Sequence, residues 1–177
     1  MTTYDYEKLA MSTAATLEEV LCAGTAPAVE DLAGSEFRGW NTPFFASWVG
    51  ILRFKKGFFL DPKAGGALRG YNKNIMSGGG INDPWDESGP GGKAKPFGFY
   101  DVVSSSTEPY SNSVVLNYNC PRNFSLDPTK LLRDYLVQVD PENPDLFLGK
   151  AYLALPPKWP CVSYFILERV GQAEIPS

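Results

Sequence analysis

The feature that most limits the fold of this chain is a series of eight short strand-like segments with no crossover helix between them. Turn signals rich in Gly, Pro, Asn and Asp separate most of the segments. Parallel strands need long crossover connections, usually helices, so this order favours antiparallel pairing of consecutive strands. The segments are residues 35–41, 51–60, 67–73, 97–104, 113–119, 131–139, 145–155 and 162–170.

We therefore predict an all-β fold, namely an eight-stranded antiparallel up-and-down barrel. Closing the sheet into a barrel removes its exposed edges. A chain of 177 residues has the length of a single domain. We divide it into an N-terminal helical segment that packs on the barrel, residues 1–30, and the barrel domain, residues 31–177.

The helix signal is clearest inside the N-terminal segment. The sequence TLEEVLCAG begins at Thr16, and Glu19 follows three residues later, which is the spacing of a capping box. Thr16 is therefore the predicted N-cap. A second, short helical turn is predicted in residues 43–50, with Pro43 near its start.

Charge and missing residue types exclude several classes of function. Sixteen basic and twenty acidic residues give a net charge of -4, which repels phosphate backbones, so we expect no nucleic-acid partner. The chain has no histidine, which excludes catalysis by His-dependent nucleophiles and zinc sites with His ligands. Phosphate-loop and dinucleotide motifs also fail on spacing. We expect neither a metal nor a cofactor.

The cysteines and the first residues of the chain bear on localisation. Cys22, Cys120 and Cys161 lie far apart, and an odd number of cysteines indicates reduced thiols in a reducing compartment. Residues 1–20 mix acids with apolar residues, unlike a signal peptide. No apolar run approaches the roughly 20 residues of a membrane-spanning helix. We expect a cytoplasmic monomer or homodimer without a membrane partner.

One long segment interrupts the strand pattern. Residues 76–97 are rich in Gly and Pro and contain Trp85 between two aspartates. A loop of this length is usually functional or disordered. One interpretation is a surface excursion. The other is a lid over the mouth of the barrel, in which Ile81 and Trp85 fold onto a bound molecule and the glycines 78–80 form the hinge.

The alternation of side chains along the strands predicts which residues line the lumen. In residues 131–139, Arg133 shares a face with Tyr135 and three aliphatic residues, and we expect this face to point inward. Lys150 on the next strand is a second polar candidate. Arg133 either pairs with a carboxylate such as Glu36 or Asp101, or meets an oxygen of a ligand, with a tyrosine donating alongside. Further lumen candidates are Tyr71, Tyr100, Tyr118, Tyr135, Tyr152 and Tyr164.

The order of several pieces carries a resemblance to a known family. They are the opening strand from Gly34 to Trp40, KKGFF from 55 to 59, LRDYLVQVD from 132 to 140, LFLGKAY from 146 to 152 and YFILER from 164 to 169. Together they resemble lipocalin-like, calycin-type barrels, and more specifically the bacterial GXWXG-type domains of unknown function. The opening motif here is spaced G-x-x-x-x-G-W. The resemblance implies that Trp40 packs against Arg169 of the last strand at the closed end of the barrel.

Three functions remain open at this point. The first is binding of a small, largely apolar molecule in the barrel cavity. The second is a cofactor-free cyclase or isomerase of natural-product biosynthesis, in which a tyrosine, Asp134, Arg133 or Lys150 serves the chemistry. The third is a protein-interaction module that uses the 76–97 loop. The candidate ligand-binding residues are Arg133, Tyr135, Tyr118, Tyr100, Tyr71, Lys150, Trp85, Glu36 and Arg38.

Overall fold

The computed structural model describes residues 4–42, 51–75, 79–85, 87–89, 92–105 and 109–176. The described chain begins with three short helices, α1 (Tyr6–Ala10), α2 (Ala14–Ala23) and α3 (Val29–Leu32). The helical turn predicted for residues 43–50 lies outside the described residues. Among those described, no helix combines the length and apolar character needed to cross a membrane.

A closed antiparallel barrel of eight strands follows the helices, which confirms the predicted fold class. Around the barrel the strands run in the order β1-β10-β9-β8-β7-β6-β3-β2. The short β4 and β5 pair with each other outside the barrel. The strands are β1 (Ser35–Asn41), β2 (Arg53–Asp61), β3 (Ala67–Asn74), β4 (Ser88–Gly89), β5 (Gly92–Lys93), β6 (Phe97–Ser104), β7 (Val114–Asn117), β8 (Leu132–Asp140), β9 (Asn143–Leu153) and β10 (Cys161–Gln172).

Helix α2 begins earlier than the capping-box pattern predicts. Its N-cap is Thr13, whose hydroxyl oxygen accepts a hydrogen bond from the backbone N–H of Thr16 at 3.2 Å. The prediction that Thr16 is the N-cap is therefore wrong. Thr13 has the same capping hydroxyl, and the two alanines that follow it favour the helix.

The apolar face of the N-terminal helices covers the outside of the barrel. Leu17 and Leu21 of α2 are fully buried in a cluster with Val137 of β8, Leu148 of β9 and Ile166 of β10. These three strands therefore carry apolar residues on both faces. One face packs into the lumen, and the other packs under the helices.

Aromatic side chains fill the lumen at the end where β1 begins. Phe37 is fully buried and makes edge-to-face contacts with Phe58 and Phe147, with ring centroids 5.6 and 5.3 Å apart. Leu32 at the end of α3 belongs to the same cluster. The guanidinium carbon of Arg169 lies 5.1 Å from the centroid of the Phe37 ring. This end of the barrel is closed by packed side chains and a cation.

Trp40 does not take part in that closure. It pairs with Ile166 across the sheet and packs against the outer cluster under the helices. The expected contact between Trp40 and Arg169 is therefore wrong. A register shift between Glu36 and Phe37 places Phe37 opposite Arg169.

Four glycines in the strands each face an aromatic ring that sits directly across the sheet. At each of them, an added Cβ atom would lie far inside van der Waals contact with that ring. Glycine is therefore required by the close approach of the ring rather than by backbone conformation. The pairs are Gly39 with Phe54, Gly57 with Tyr71, Gly70 with Tyr100, and Gly149 with Phe165.

Candidate functional site

The other end of the lumen is not filled by the described residues. A partly open cavity of about 160 Å³ lies there, between the end of β1 and the start of β2, β6, β8 and β10. Its walls are mainly apolar, and polar side chains lie among them. The apolar walls include Ile51, Phe54, Phe97, Leu132, Val162 and Phe165.

A cluster of four polar side chains borders this cavity: Lys56, Asn72, Tyr118 and Asp134, hereafter the lumen polar cluster. Lys56 and Asp134 are 2% and 3% exposed. They reach the lumen because inward-pointing residues alternate along their strands: Phe54, Lys56 and Phe58 on β2, and Leu132, Asp134 and Leu136 on β8.

The amino group of Lys56 holds the cluster together. Its Nζ donates hydrogen bonds to Asn72 Oδ1 at 2.9 Å, to the Tyr118 hydroxyl at 2.5 Å and to Asp134 Oδ2 at 3.2 Å. The Tyr118 hydroxyl donates in turn to Asp134 Oδ2 at 3.0 Å. The cation thus has a carboxylate partner and two neutral acceptors.

Aromatic rings surround the same amino group. Nζ of Lys56 lies 4.8 Å from the ring centroid of Tyr100, 5.1 Å from that of Phe165 and 5.2 Å from that of Tyr118. Ring faces attract a cation, and the attraction is stronger where water is excluded. The rings therefore offset part of the cost of burying this charge.

Burial shifts the titration of the whole cluster. Loss of solvation lowers the pKa of Lys56 and raises the pKa of Asp134, and the attraction between the two only partly opposes this. Burial also raises the pKa of Tyr118 well above its ordinary value. The Tyr118 phenol therefore stays protonated and acts as a donor to Asp134.

One hydrogen-bond acceptor of the cluster has no donor among the described residues. Asp134 Oδ1 is buried and has no hydrogen-bond partner in the described part of the chain, whereas Oδ2 receives two hydrogen bonds. A buried carboxylate oxygen without a donor is costly and uncommon in folded proteins. The cluster therefore offers an unused hydrogen-bond acceptor beside an apolar cavity.

Arg133 does not point into the lumen, which corrects the expected orientation of β8. The inward face of β8 carries Asp134, and the guanidinium of Arg133 donates to the backbone carbonyls of Lys130 and Leu132 at 2.8 and 2.6 Å. Its expected partners, Glu36 and Asp101, pair with other cations. The alternation was identified correctly, but the wrong face was assigned to the lumen.

Lys150 and Tyr135 share that outer face. Lys150 Nζ donates to Glu18 Oε2 of α2 at 2.8 Å and to the Tyr110 hydroxyl at 2.7 Å. Burial alone lowers the pKa of Lys150, but these hydrogen bonds outweigh it and raise the pKa. The ring of Tyr135 packs against Tyr110 at 4.9 Å between centroids. These residues hold α2 on the barrel and do not line the cavity.

The remaining candidates divide between the two faces. Tyr118 lines the cavity, and Tyr100 lies in the lumen core beside it. Tyr71 accepts a hydrogen bond from the backbone N–H of Glu174 at 3.0 Å. On the outer face of the barrel, Glu36 Oε2 accepts a hydrogen bond from Lys73 Nζ at 2.9 Å, and Arg38 Nε donates one to Glu168 Oε2 at 2.7 Å. The structure therefore brings only Tyr118 and Tyr100 of the nine candidates to the lumen.

Ile81 and Trp85 of the 76–97 loop lie on the outside of the barrel, whereas Phe97 at the end of the loop lines the cavity. Trp85 donates to the Phe54 carbonyl at 3.2 Å and stacks under the guanidinium of Arg53, 4.0 Å from its ring centroid. Ile81 joins the same outer cluster. The expectation that Ile81 and Trp85 cover the mouth of the barrel is therefore wrong. One of the three expected hinge glycines, Gly78, lies outside the described residues. Arg53, which is 6% exposed, provides the cation that attracts Trp85.

Sequence reasoning missed Lys56 and Asn72 as site residues and considered Asp134 only for catalysis. A usable signal was present in FKKGF, residues 54–58, where Lys56 shares its face with two phenylalanines. Because the phenylalanines indicate an inward face, and a lysine is buried only when it is paired, this pattern predicts a buried cation with an acidic partner. In the part of the chain that the structure describes, no group of three or more Cys, Asp or Glu side chains is arranged to hold a metal ion.

Comparisons with known proteins find no match: no family model matches the chain, and no curated protein or solved structure matches it significantly.

Proposed function

We propose that this protein binds one small, largely apolar molecule in the lumen cavity. The observation that carries the proposal is a partly open cavity of about 160 Å³ with apolar walls and a polar cluster at its border. This is the usual character of a small-molecule site. A cavity of roughly 150 Å³ accommodates benzene in another protein, so a single six-membered ring sets the scale of the ligand.

The proposal includes a lipocalin-like mode of binding and a cytoplasmic location. The closed eight-stranded barrel is compatible with the first, because barrels of this size hold side chains or one small ligand. The free thiols of Cys22, Cys120 and Cys161 support the second. The small apolar molecule is the partner that we propose.

Filling the cavity tests the proposal directly. Ala151 lines the cavity next to Asp134, its partner across the sheet, and Ala151→Leu adds three carbons to the cavity without removing any group of the lumen polar cluster. We expect wild-type protein to bind toluene saturably in isothermal titration and NMR titration, and Ala151→Leu to bind it at least tenfold more weakly. Arg133→Met, on the outer face, is the matched control and should bind as wild type does. Equal binding by wild type and Ala151→Leu would contradict the proposal.

Proton transfer is a second candidate function, as in a cofactor-free isomerase or cyclase. The specific observation in its favour is Asp134 Oδ1, a buried carboxylate oxygen with no hydrogen-bond partner among the described residues. Burial raises the pKa of Asp134 and so makes it a stronger base when ionised. Tyr118 and Lys56 are donors next to it.

Hydrogen exchange at carbon tests this second candidate. Cyclohexanone has the size of the cavity and weakly acidic hydrogens next to its carbonyl. In deuterated buffer, proton NMR measures how fast deuterium replaces these hydrogens. We expect wild-type protein to accelerate the exchange and Lys56→Met/Asp134→Leu to leave it at the rate without protein. Arg133→Met should keep the wild-type rate. An identical rate with and without protein would remove the proton-transfer function and leave the binding function standing.

A further inference from the structure

The hydrogen-bond donors of Lys56 and Tyr118 in the lumen polar cluster are already paired with acceptors inside the cluster. The ammonium of Lys56 has three N–H donors, and each has an acceptor in Asn72, Tyr118 or Asp134. The Tyr118 hydroxyl gives its proton to Asp134 Oδ2. No donor of Lys56 or Tyr118 is left for a ligand oxygen.

The acceptors of the cluster are not used up to the same extent. Asp134 Oδ2 takes hydrogen bonds from both Lys56 and Tyr118, while Oδ1 has no partner among the described residues. Asp134 is 3% exposed and belongs to the lining of the cavity. Its free oxygen is therefore the group of the cluster that gains most from a new donor.

We infer that the ligand is a neutral compound of about one ring in size with an O–H or N–H group, such as a phenol or a cyclic alcohol, which donates to the carboxylate of Asp134. The inference rests on the proposed function, because it assigns the chemistry of the molecule that the cavity binds. The apolar part of the ligand lies against Phe54, Leu132 and Phe165, which are among the cavity walls.

The same arrangement disfavours two other classes of ligand. A carboxylate would bring a second negative charge to Asp134 without finding a free donor on Lys56 or Tyr118. A pure hydrocarbon supplies no donor to the Asp134 carboxylate and so gains nothing from the lumen polar cluster. The site therefore selects for a hydrogen-bond donor rather than for an acid or for apolar volume alone.

Ligands of nearly equal shape test the inference in wild-type protein. Phenol, toluene and fluorobenzene differ at one substituent, and only phenol donates a hydrogen bond; benzoate supplies the anion. We expect phenol to bind at least tenfold more tightly than toluene and fluorobenzene in isothermal titration, and benzoate to bind most weakly. Equal affinity for phenol and toluene, or tightest binding of benzoate, would overturn the inference.

A double variant shows whether the preference arises at the lumen polar cluster. Lys56→Met/Asp134→Leu removes both charges and keeps the length and branching of the two side chains, and we expect it to bind toluene as wild type does but to lose the preference for phenol. Arg133→Met should keep that preference. The wild-type ranking decides the inference even if the double variant fails to fold. No binding of any probe to wild type would instead reject the proposed function.

Discussion

Removing one charge of the Lys56–Asp134 pair should lower the free energy of unfolding by about 3–5 kcal/mol, the usual cost of leaving a buried ion without its partner. Lys56→Met leaves a carboxylate that is 3% exposed, and Asp134→Leu leaves an ammonium that is 2% exposed. Urea unfolding, followed by tyrosine and tryptophan fluorescence, measures both variants. Each should show a large shift in midpoint with little change in slope.

The double variant Lys56→Met/Asp134→Leu should regain most of that loss. Apolar residues of similar volume often replace a buried ion pair at no net cost, because the desolvation of both charges is avoided. The two single losses are therefore expected to be far from additive. Additive losses would contradict the view that the two charges act as one unit.

Phe37→Ala should lower the free energy of unfolding by about 3–5 kcal/mol, as expected for a fully buried aromatic side chain. Phe37 lies between Phe58 and Phe147, under the guanidinium of Arg169, so the neighbours cannot easily close the space. Trp40→Ala is the control, because Trp40 is only partly buried on the outer face. Urea unfolding compares the two, and a larger loss for Trp40→Ala would contradict the assignment of Phe37 to the closed end.

The strands were the part of the structure that local sequence determines best. β1 and β6 coincide with the predicted segments 35–41 and 97–104 at both ends. The reason is that turns are defined by residues within a few positions of one another, such as DPKAGG after β2 and the prolines that follow β9. Closure of the barrel then follows from the number and order of the strands.

The inward face of each strand was much harder to predict. Alternation separates two faces but identifies the lumen only when the other face is polar. On β8, Tyr135 and Val137 pack under the helices, while Leu132, Asp134 and Leu136 line the lumen. Both faces are therefore largely apolar, and the sequence favours the face of Arg133, which carries one cation among Tyr135 and three aliphatic residues. Only the position of α2 on the barrel distinguishes them, and α2 is distant in sequence.

The position of Trp40 depends on the pairing of β1 with β10, which the sequence does not reveal. Phe37 pairs with Arg169 and Trp40 with Ile166, so the arginine lies beside the lumen-facing Phe37, and Trp40 lies on the opposite face of β1. The placement of Trp85 failed for a similar reason. Its attraction to Arg53 and Tyr6 depends on residues that meet only in the folded barrel.

The four glycine–ring pairs have a consequence for how such a barrel can evolve. If the glycine of a pair becomes alanine, its Cβ atom clashes with the facing ring unless the aromatic residue is also replaced by a smaller one. If the aromatic residue alone becomes smaller, it leaves an empty space beside the glycine. We therefore expect the two positions to change together, because either substitution alone destabilises the barrel. Gly39 and Phe54 are 15 positions apart, and Gly70 and Tyr100 are 30 apart. A distant relative would be recognised by these paired exchanges sooner than by any continuous stretch of sequence.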